Sequence, residues 1–388
     1  MSEQPLYIDM QDRYSRLRLI SWWDQERLAR ARVMVVGAGA LGNEALKNLA
    51  LLGVGYVYLI DYDTIEASNL TRSVLYREEH SGRSKAEVAA ESVRDINPDC
   101  RVFAVHGNVM TDVGLGVFAD CDVVIGCLDN REARLWVNRC CWKVGTPWVD
   151  GGIQEISGVV KVFVPPDSAC YECAMTENDY KMISLKYSCP LLTRDDLLEG
   201  KVPTAPTIAS VIAGLQTQEA LKIIHALPVQ PGQAMVFNGV ANNFYTTQYP
   251  KREDCLSHEF YPEPIELDIS AAEHTVADLF DAVTEHFDGD VSLRLDRDLL
   301  VSLYCPKCDA SREVLRPLTL VGMSEGKCPT CGEISQPQTT HTVAPDSPLA
   351  QHTLSRVGVP LYDVVRMVNE REMKFFKLAK DKAKMLGG

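Results

Sequence analysis

Positive charge is what this chain is short of. Its 388 residues carry 39 lysines and arginines against 53 aspartates and glutamates, a net charge of −14 and an isoelectric point near 5.1. Sequence-independent nucleic-acid binding needs a basic footprint, so that class is set aside. Acidity of this kind serves solubility, or a surface that receives a basic protein. Also missing is any apolar run long enough to span a bilayer. Residues 1–14 are polar and lack the apolar core of a secretory signal. There is no internal repeat and no low-complexity tract. Against these absences stand 13 cysteines. In a long chain without a signal they read as reduced thiols and metal ligands, with the cytoplasm as the expected location. The length suits two domains.

Apolar strands are expected at 33–36, 56–60, 102–105 and 123–125, with another starting at 147. Between them come a glycine turn at 37–42 and helical patterns at 43–52, 84–96 and 131–144, the second stopped by Asn97-Pro98. Strands alternating with helices imply an α/β, Rossmann-like domain with a mostly parallel sheet covered on both faces. Residues 1–31 read as a polar, helical lead-in, 206–226 as a buried helix turning amphipathic, and 176–204 as a long crossing loop. The texture changes after Pro264, which places the first domain at 1–260 and the second at 261–388. In the second, 265–269 alternates as a strand. Val276, Leu279, Phe280, Val283 and Phe287 share one helical face. Strands follow at 291–295 and 300–303, and 349–380 reads as an amphipathic helix plus a last strand. That order suggests a small α+β domain of β-grasp type.

Gly37, Gly39 and Gly42 form G-x-G-x-x-G between strand and helix. Such glycines let backbone approach phosphate, and a helix N-terminus favours the charge. Asp61, with Asp63 two residues on, ends the next strand. A carboxylate there binds ribose hydroxyls of NAD or ATP alike. The residues that follow favour ATP. Adenylyl transfer needs positioning, cations on phosphate and a carboxylate on Mg²⁺. Arg72 and Lys85 supply the cations, Asn69 a polar contact, and Asp129 lies at a strand's carboxyl end. Hydride transfer needs none of this cluster.

Residues 13–152 resemble the ubiquitin-activating-enzyme-like superfamily of ThiF/MoeB-type adenylyltransferases. The match runs through R-Y-S-R, G-A-G-A-L-G, L-I-D-Y-D, S-N-L-T-R, G-R-S-K and L-D-N-R-E-A-R, in family order. Ala40 stands where a glycine is usual and Ser73 where a glutamine is usual. The resemblance implies that Asp61 holds ribose, that Asn69, Arg72 and Lys85 surround the triphosphate, and that Asp129 holds Mg²⁺. It implies that Arg16 is offered to ATP across a homodimer interface. It also implies adenylation of the terminal glycine of a ubiquitin-like protein, and a C-terminal domain that recruits a conjugating enzyme. Size and economy resemble a bacterial version.

Two cysteine sets read as structural zinc sites. Cys305-x-x-Cys308 and Cys328-x-x-Cys331 have the spacing of a zinc ribbon, within 303–334. Cys170-x-x-Cys173 and Cys255-x-x-His258 each space two ligands. The long gap between those pairs is bridged only by the resemblance, in which a zinc often follows the catalytic sheet. Cys100, Cys121, Cys127, Cys140 and Cys141 read as inert core. Cys189 differs: it lies on the crossing loop, five residues before Arg194, where a cation raises the thiolate population. The resemblance to conjugating members makes it the thioester nucleophile. The terminal Gly387-Gly388 reads as an ordinary chain end. The rival readings are a sulfur-carrier adenylyltransferase that stops at the acyl-adenylate, and a scaffold module on a relic nucleotide fold.

Overall fold

The first unit of the computed structural model, which describes residues 8–181, 203–322 and 325–387, is built around an eight-stranded sheet. Its strands are β1 (Arg32–Val36), β2 (Tyr56–Asp61), β3 (Arg101–His106), β4 (Val123–Gly126), β5 (Trp148–Gln154), β6 (Ser157–Phe163), β7 (Gln233–Asn238) and β8 (Asn243–Gln248). The order is β3-β2-β1-β4-β5-β6-β7-β8. β3 through β5 are parallel, and β5 through β8 antiparallel. Because helices cover both faces, central strands are apolar along their length: Val33, Met34, Val35, Val123, Val124 and Ile125 are all fully buried. The parallel direction brings the carboxyl ends of β1, β2 and β4 to one edge, where ligands of open α/β sheets bind.

The helices begin and end where their sequences dictate. Ser84 accepts a hydrogen bond from the Glu87 amide at 3.4 Å, and Asn130 one from the Ala133 amide at 2.8 Å, capping the helices Lys85–Ile96 and Arg131–Val144. Gly53 and Gly145 close Ala40–Leu52 and Arg131–Val144 in left-handed geometry, φ 74° in each case. The apolar helix Pro206–Ile224 starts on proline and buries Ile208, Ile212, Ala213, Ala220 and Ile224. Within described residues, the lead-in holds only a turn of 3-10 helix at Leu17–Leu19 and the short helix Gln25–Arg30, so the expectation of a largely helical 1–31 is corrected. β6, β7 and β8 extend the sheet beyond what the sequence announced. β8 is exposed at every residue, so no buried face imprints alternation on it.

The second unit takes in Met110–Val117, described residues 175–181 and the chain from Phe260. Its sheet holds β9 (Ile265–Leu267), β10 (Ser292–Tyr304), β11 (Ser311–Pro317), β12 (Gln336–Val343), β13 (Val364–Val368) and β14 (Met373–Leu378), in the order β11-β10-β13-β14-β9 with β12 also on β10. The first strand, β9, runs parallel to the last, β14, and the other pairs are antiparallel. The helix Val276–Val283 opens with a capping box between Thr275 and Asp278 and buries Val276, Leu279, Phe280 and Val283, the face expected from the sequence. They pack with Phe287, Leu293 and Phe376. The unit is α+β, with two corrections. The two strands expected at 291–295 and 300–303 are one, β10, whose register shifts absorb the polar Asp296–Asp298 stretch. Residues 349–372 hold no amphipathic α-helix; they give a 3-10 turn at Pro348–Gln351 and the strand β13. No described helix is long and apolar enough to cross a membrane.

Candidate functional site

The turn after β1 is shaped by its glycines. Gly37 has φ +99°, and a Cβ there would lie 2.4 Å from the Cys127 carbonyl oxygen. A Cβ on Gly42 would meet the Gly37 carbonyl oxygen at 2.0 Å. Gly39 differs: nothing lies within 4 Å of its Cβ position, and as the residue before helix Ala40–Leu52 it offers no side-chain cap. This helix end carries no side-chain cap and has open space beside Gly39, an arrangement that suits a phosphate. Ala40 sits at the first helical position with ordinary helical geometry, so the missing glycine there changes little.

Asp61 ends β2 and grips this turn. One carboxylate oxygen accepts from the Ala38 amide at 2.6 Å, the other from the Asp63 amide at 2.7 Å. Burial pushes its pKa up, opposed by the Ala38 N–H and the Lys85 charge. Lys85 opens helix Lys85–Ile96, is 9 % exposed, and places its ammonium 2.7 Å from the Asp63 carboxylate. Two residues the sequence reading passed over complete the frame. Asn43 donates to the carbonyls of Ala38 at 2.7 Å and Gly39 at 3.0 Å while accepting from the Leu75 amide at 2.9 Å. The Tyr76 hydroxyl lies 2.7 Å from the Ala38 carbonyl and 3.1 Å from that of Lys85. Asn43 had a signal, a polar residue inside the largely apolar helix Ala40–Leu52, whereas Tyr76, followed by polar residues 77–81, had none.

Asn69 and Arg72 lie on the loop after β2. Asn69 accepts from the Glu66 amide at 3.0 Å, and Arg72 donates to the Ser68 carbonyl at 2.8 Å. Asp129 is exposed, three residues beyond the carboxyl end of β4. Arg16 is not brought to this group within the chain. Its neighbour Tyr14 fills the space beside Gly53 and accepts from Asn97 Nδ2 at 2.7 Å, and Arg13 donates to the Ile96 carbonyl at 3.3 Å. The lead-in thus packs at the C-terminal ends of helices whose N-termini open the site, roughly 18 Å away for a 12-residue helix. Cys189 lies outside the described residues.

Beneath the site runs a buried polar layer. Arg134 donates to Asp150 at 2.9 Å and to the carbonyls of Leu128 at 2.6 Å and Gly151 at 3.0 Å. Asp150 is 1 % exposed and also faces Lys161 at 3.6 Å. Gln216, fully buried, donates to the carbonyls of Gly126 at 2.8 Å and Val149 at 3.2 Å. Gly151 leaves room for it, since a Cβ there would lie 2.4 Å from the amide.

Two clusters have the donor set of a tetrahedral metal. In Cys170, Cys173, Cys255 and His258, and in Cys305, Cys308, Cys328 and Cys331, the ligand atoms of each set lie within 4.8 Å of one another. Sulfur separations of 3.7 Å (Cys170–Cys173), 3.5 Å (Cys170–Cys255), 3.4 Å (Cys305–Cys331) and 3.6 Å (Cys308–Cys328) approach the edge of about 3.8 Å that a Zn–S bond of about 2.3 Å sets. The pairs that the spacing left unjoined, 170/173 and 255/258, come together. Around the first cluster His258 stacks on Trp142 at 5.4 Å, and the buried Glu172 accepts from Arg139 at 3.1 Å and from the Ser257 hydroxyl.

An open, parallel-centred sheet with a glycine turn, an acidic second strand and a lysine-headed helix defines an α/β domain of the kind that takes ligands at the carboxyl ends of its strands. The ThiF family model matches residues 12–257. The chain belongs to the ThiF family. It is 31% identical over 230 residues to ubiquitin-like modifier-activating enzyme 5 of Dictyostelium discoideum, covering 54% of this chain and 58% of that one. It is 39% identical over 166 residues to SUMO-activating enzyme subunit 2 of the same organism, 42% of this chain and 25% of that one. The chain therefore spans between a quarter and three fifths of these relatives. Among solved structures, E. coli MccB with ATP is similar at a TM-score of 0.54 and 25% identity, covering 66% of this chain and 76% of that one.

If Asp61 binds ribose, Asp61→Asn should raise the KM for ATP about ten-fold, near 1.4 kcal/mol. An amide in its place turns an N–H₂ toward one of the two backbone donors it now accepts from. Saturation curves for pyrophosphate exchange read this; an unchanged KM assigns the ribose elsewhere.

Proposed function

We propose that this chain uses ATP to activate the C-terminal glycine of a ubiquitin-like protein and carries it onward as a thioester on Cys189. The observation that carries the reading is the gathering of the Gly37–Gly42 turn, Asp61, Asp63 and Lys85 at the carboxyl ends of β1 and β2. In this reading Asp61 holds ribose, and Asn69, Arg72 and Lys85 hold the triphosphate. Asp129 holds Mg²⁺, which when bound supplies charge neutralisation on the phosphates. Arg16 comes from the second subunit of a homodimer, consistent with its placement far from its own site. The modifier's carboxylate oxygen attacks the α-phosphorus of ATP, and pyrophosphate leaves. The Cys189 thiolate then attacks the acyl carbon, forming the thioester as AMP departs. The second unit recruits the conjugating enzyme, and both cysteine clusters hold structural zinc. The setting is cytoplasmic.

The other cysteines support this division of labour. Cys100, Cys121, Cys127, Cys140 and Cys141 are all buried. Burial pushes the Cys100 thiol up to about 12 and raises Cys121, Cys127 and Cys141 as well, so these four do not compete as thiolates near neutral pH.

The experiment compares wild type with Cys189→Ala on a non-reducing gel, with ATP, Mg²⁺ and a glycine-terminated ubiquitin-like protein. A thiol-labile adduct lost in the variant is expected, with pyrophosphate exchange retained. An adduct that survives in Cys189→Ala ends the assignment. A second reading is adenylation of a sulfur-carrier protein without a thioester, which would use the same glycine turn, Asp61 and Lys85. Exchange without any adduct would select it.

A further inference from the structure

We infer that Arg134 is a positioning residue for Asp129, fixing the turn that carries this carboxylate by fastening the carboxyl ends of β4 and β5 together. The inference rests on the reading of Asp129 as the Mg²⁺-holding carboxylate. Three features fix the turn. On its entry side the Cys127 amide donates to the Val36 carbonyl at 2.8 Å. On its exit side Asn130 caps helix Arg131–Val144 through the Ala133 amide at 2.8 Å. Between them, the Leu128 carbonyl takes one guanidinium N–H of Arg134 at 2.6 Å, and the same nitrogen reaches the Gly151 carbonyl on β5 at 3.0 Å. Asp150 orients the fork by accepting from Nε at 2.9 Å.

The geometry explains why arginine stands here. A planar guanidinium presents several donors in fixed directions, and here they are spread over one carboxylate and two carbonyls. A lysine would keep the charge opposite Asp150, which is 1 % exposed, but could not hold both strands and the carboxylate at once. Asp129 is exposed and its carboxylate accepts from Asn130 Nδ2 at 3.4 Å, so its position follows the backbone of this turn together with that neighbour. The residue does not touch the reacting atoms in this account; it sets where a carboxylate points.

Arg134→Lys tests this in the full-length protein. Changes to a residue that orients a metal ligand alter metal affinity or activity by roughly ten- to a hundred-fold. The Mg²⁺ concentration for half-maximal pyrophosphate exchange should therefore rise at least about ten-fold, with the KM for the modifier unchanged. A readout independent of turnover is the extra thermal stabilisation by ATP with Mg²⁺ over ATP with chelator, which the variant should lose. If Arg134→Lys does not melt cooperatively, Asp150→Asn takes its place. It keeps an acceptor for Nε but removes the charge that orients the fork, and should shift the Mg²⁺ dependence the same way by less. A wild-type Mg²⁺ dependence in a folded variant overturns the inference. So does a loss confined to the KM for the modifier, which would make Arg134 a substrate contact. Absence of exchange in the wild type would instead remove the functional reading beneath it.

Discussion

Lys85→Met should lower modifier-dependent pyrophosphate exchange by about 10² to 10³ while leaving the protein folded. Lys85 is 9 % exposed, and its ammonium lies 2.7 Å from Asp63 beside the glycine turn. A positioned donor aimed at developing phosphate charge contributes about 2.7–4 kcal/mol when removal is measured in comparable sites. Stability should move much less. The Asp63 side chain is 43% exposed and stays hydrated when its partner is lost, so the ion pair contributes under about 1 kcal/mol. Methionine has a similar length and fills the same space. Exchange rate and melting temperature measured on one preparation separate the two effects. A fall of less than about three-fold would place Lys85 outside the phosphate site, as it is under 1 kcal/mol.

The second large effect concerns the first metal cluster. Cys173→Ser should cost the protein one zinc and lower its melting temperature by ten degrees or more. The four ligands come from two segments, one after β6 and one after β8, that have no sequence continuity. Cys170, Cys173 and Cys255 are 0%, 7% and 8% exposed. Without an ion, three thiols and an imidazole face one another through weak sulfur hydrogen bonds, with the Arg252 amide donating to Cys173 Sγ at 3.4 Å. With one, the chain ends of the antiparallel half of the sheet are clamped, and binding energy becomes folding energy. Metal analysis should find two zinc ions in the wild type and one in Cys173→Ser. A native protein with no zinc and freely titrating thiols would contradict both clusters.

Much of this was legible in the chain. The parallel half of the sheet was readable because its strands are buried on both faces, so that Val33–Val36 and Val123–Ile125 appear as apolar runs bounded by turn residues. The helices carried caps and stops, Ser84, Asn130 and Gly145, at the residues where they begin and end. The Val276–Val283 helix was readable from its periodicity. The antiparallel strands were harder. β8 is wholly exposed, and β12 is exposed along most of its length, so neither shows the two-residue alternation that a half-buried strand needs. β13 was missed for another reason: four of the residues in Val364–Val368 are apolar, a run too short to distinguish strand from helix.

The site divides in the same way. Gly37, Asp61 and Lys85 announce themselves through motif and order. Arg134 ends the L-D-N-R-E-A-R motif, but its partners do not show there, and Asn43, Tyr76, Asp150 and Gln216 carry no motif, because each has a partner that only the fold brings near. Gln216 reaches carbonyls 90 and 67 positions away, and only the folded sheet makes those neighbours. The joining of Cys170 and Cys173 with Cys255 and His258 has the same character: each pair was visible, but their meeting is a property of the fold.

The most direct test of the account is ATP–pyrophosphate exchange by the purified chain with Mg²⁺ and a ubiquitin-like protein, with and without that protein's terminal glycine. The account predicts exchange that requires the modifier and vanishes when the glycine is removed. Exchange that proceeds equally well without the modifier, or ATP binding with no exchange at all, would contradict it.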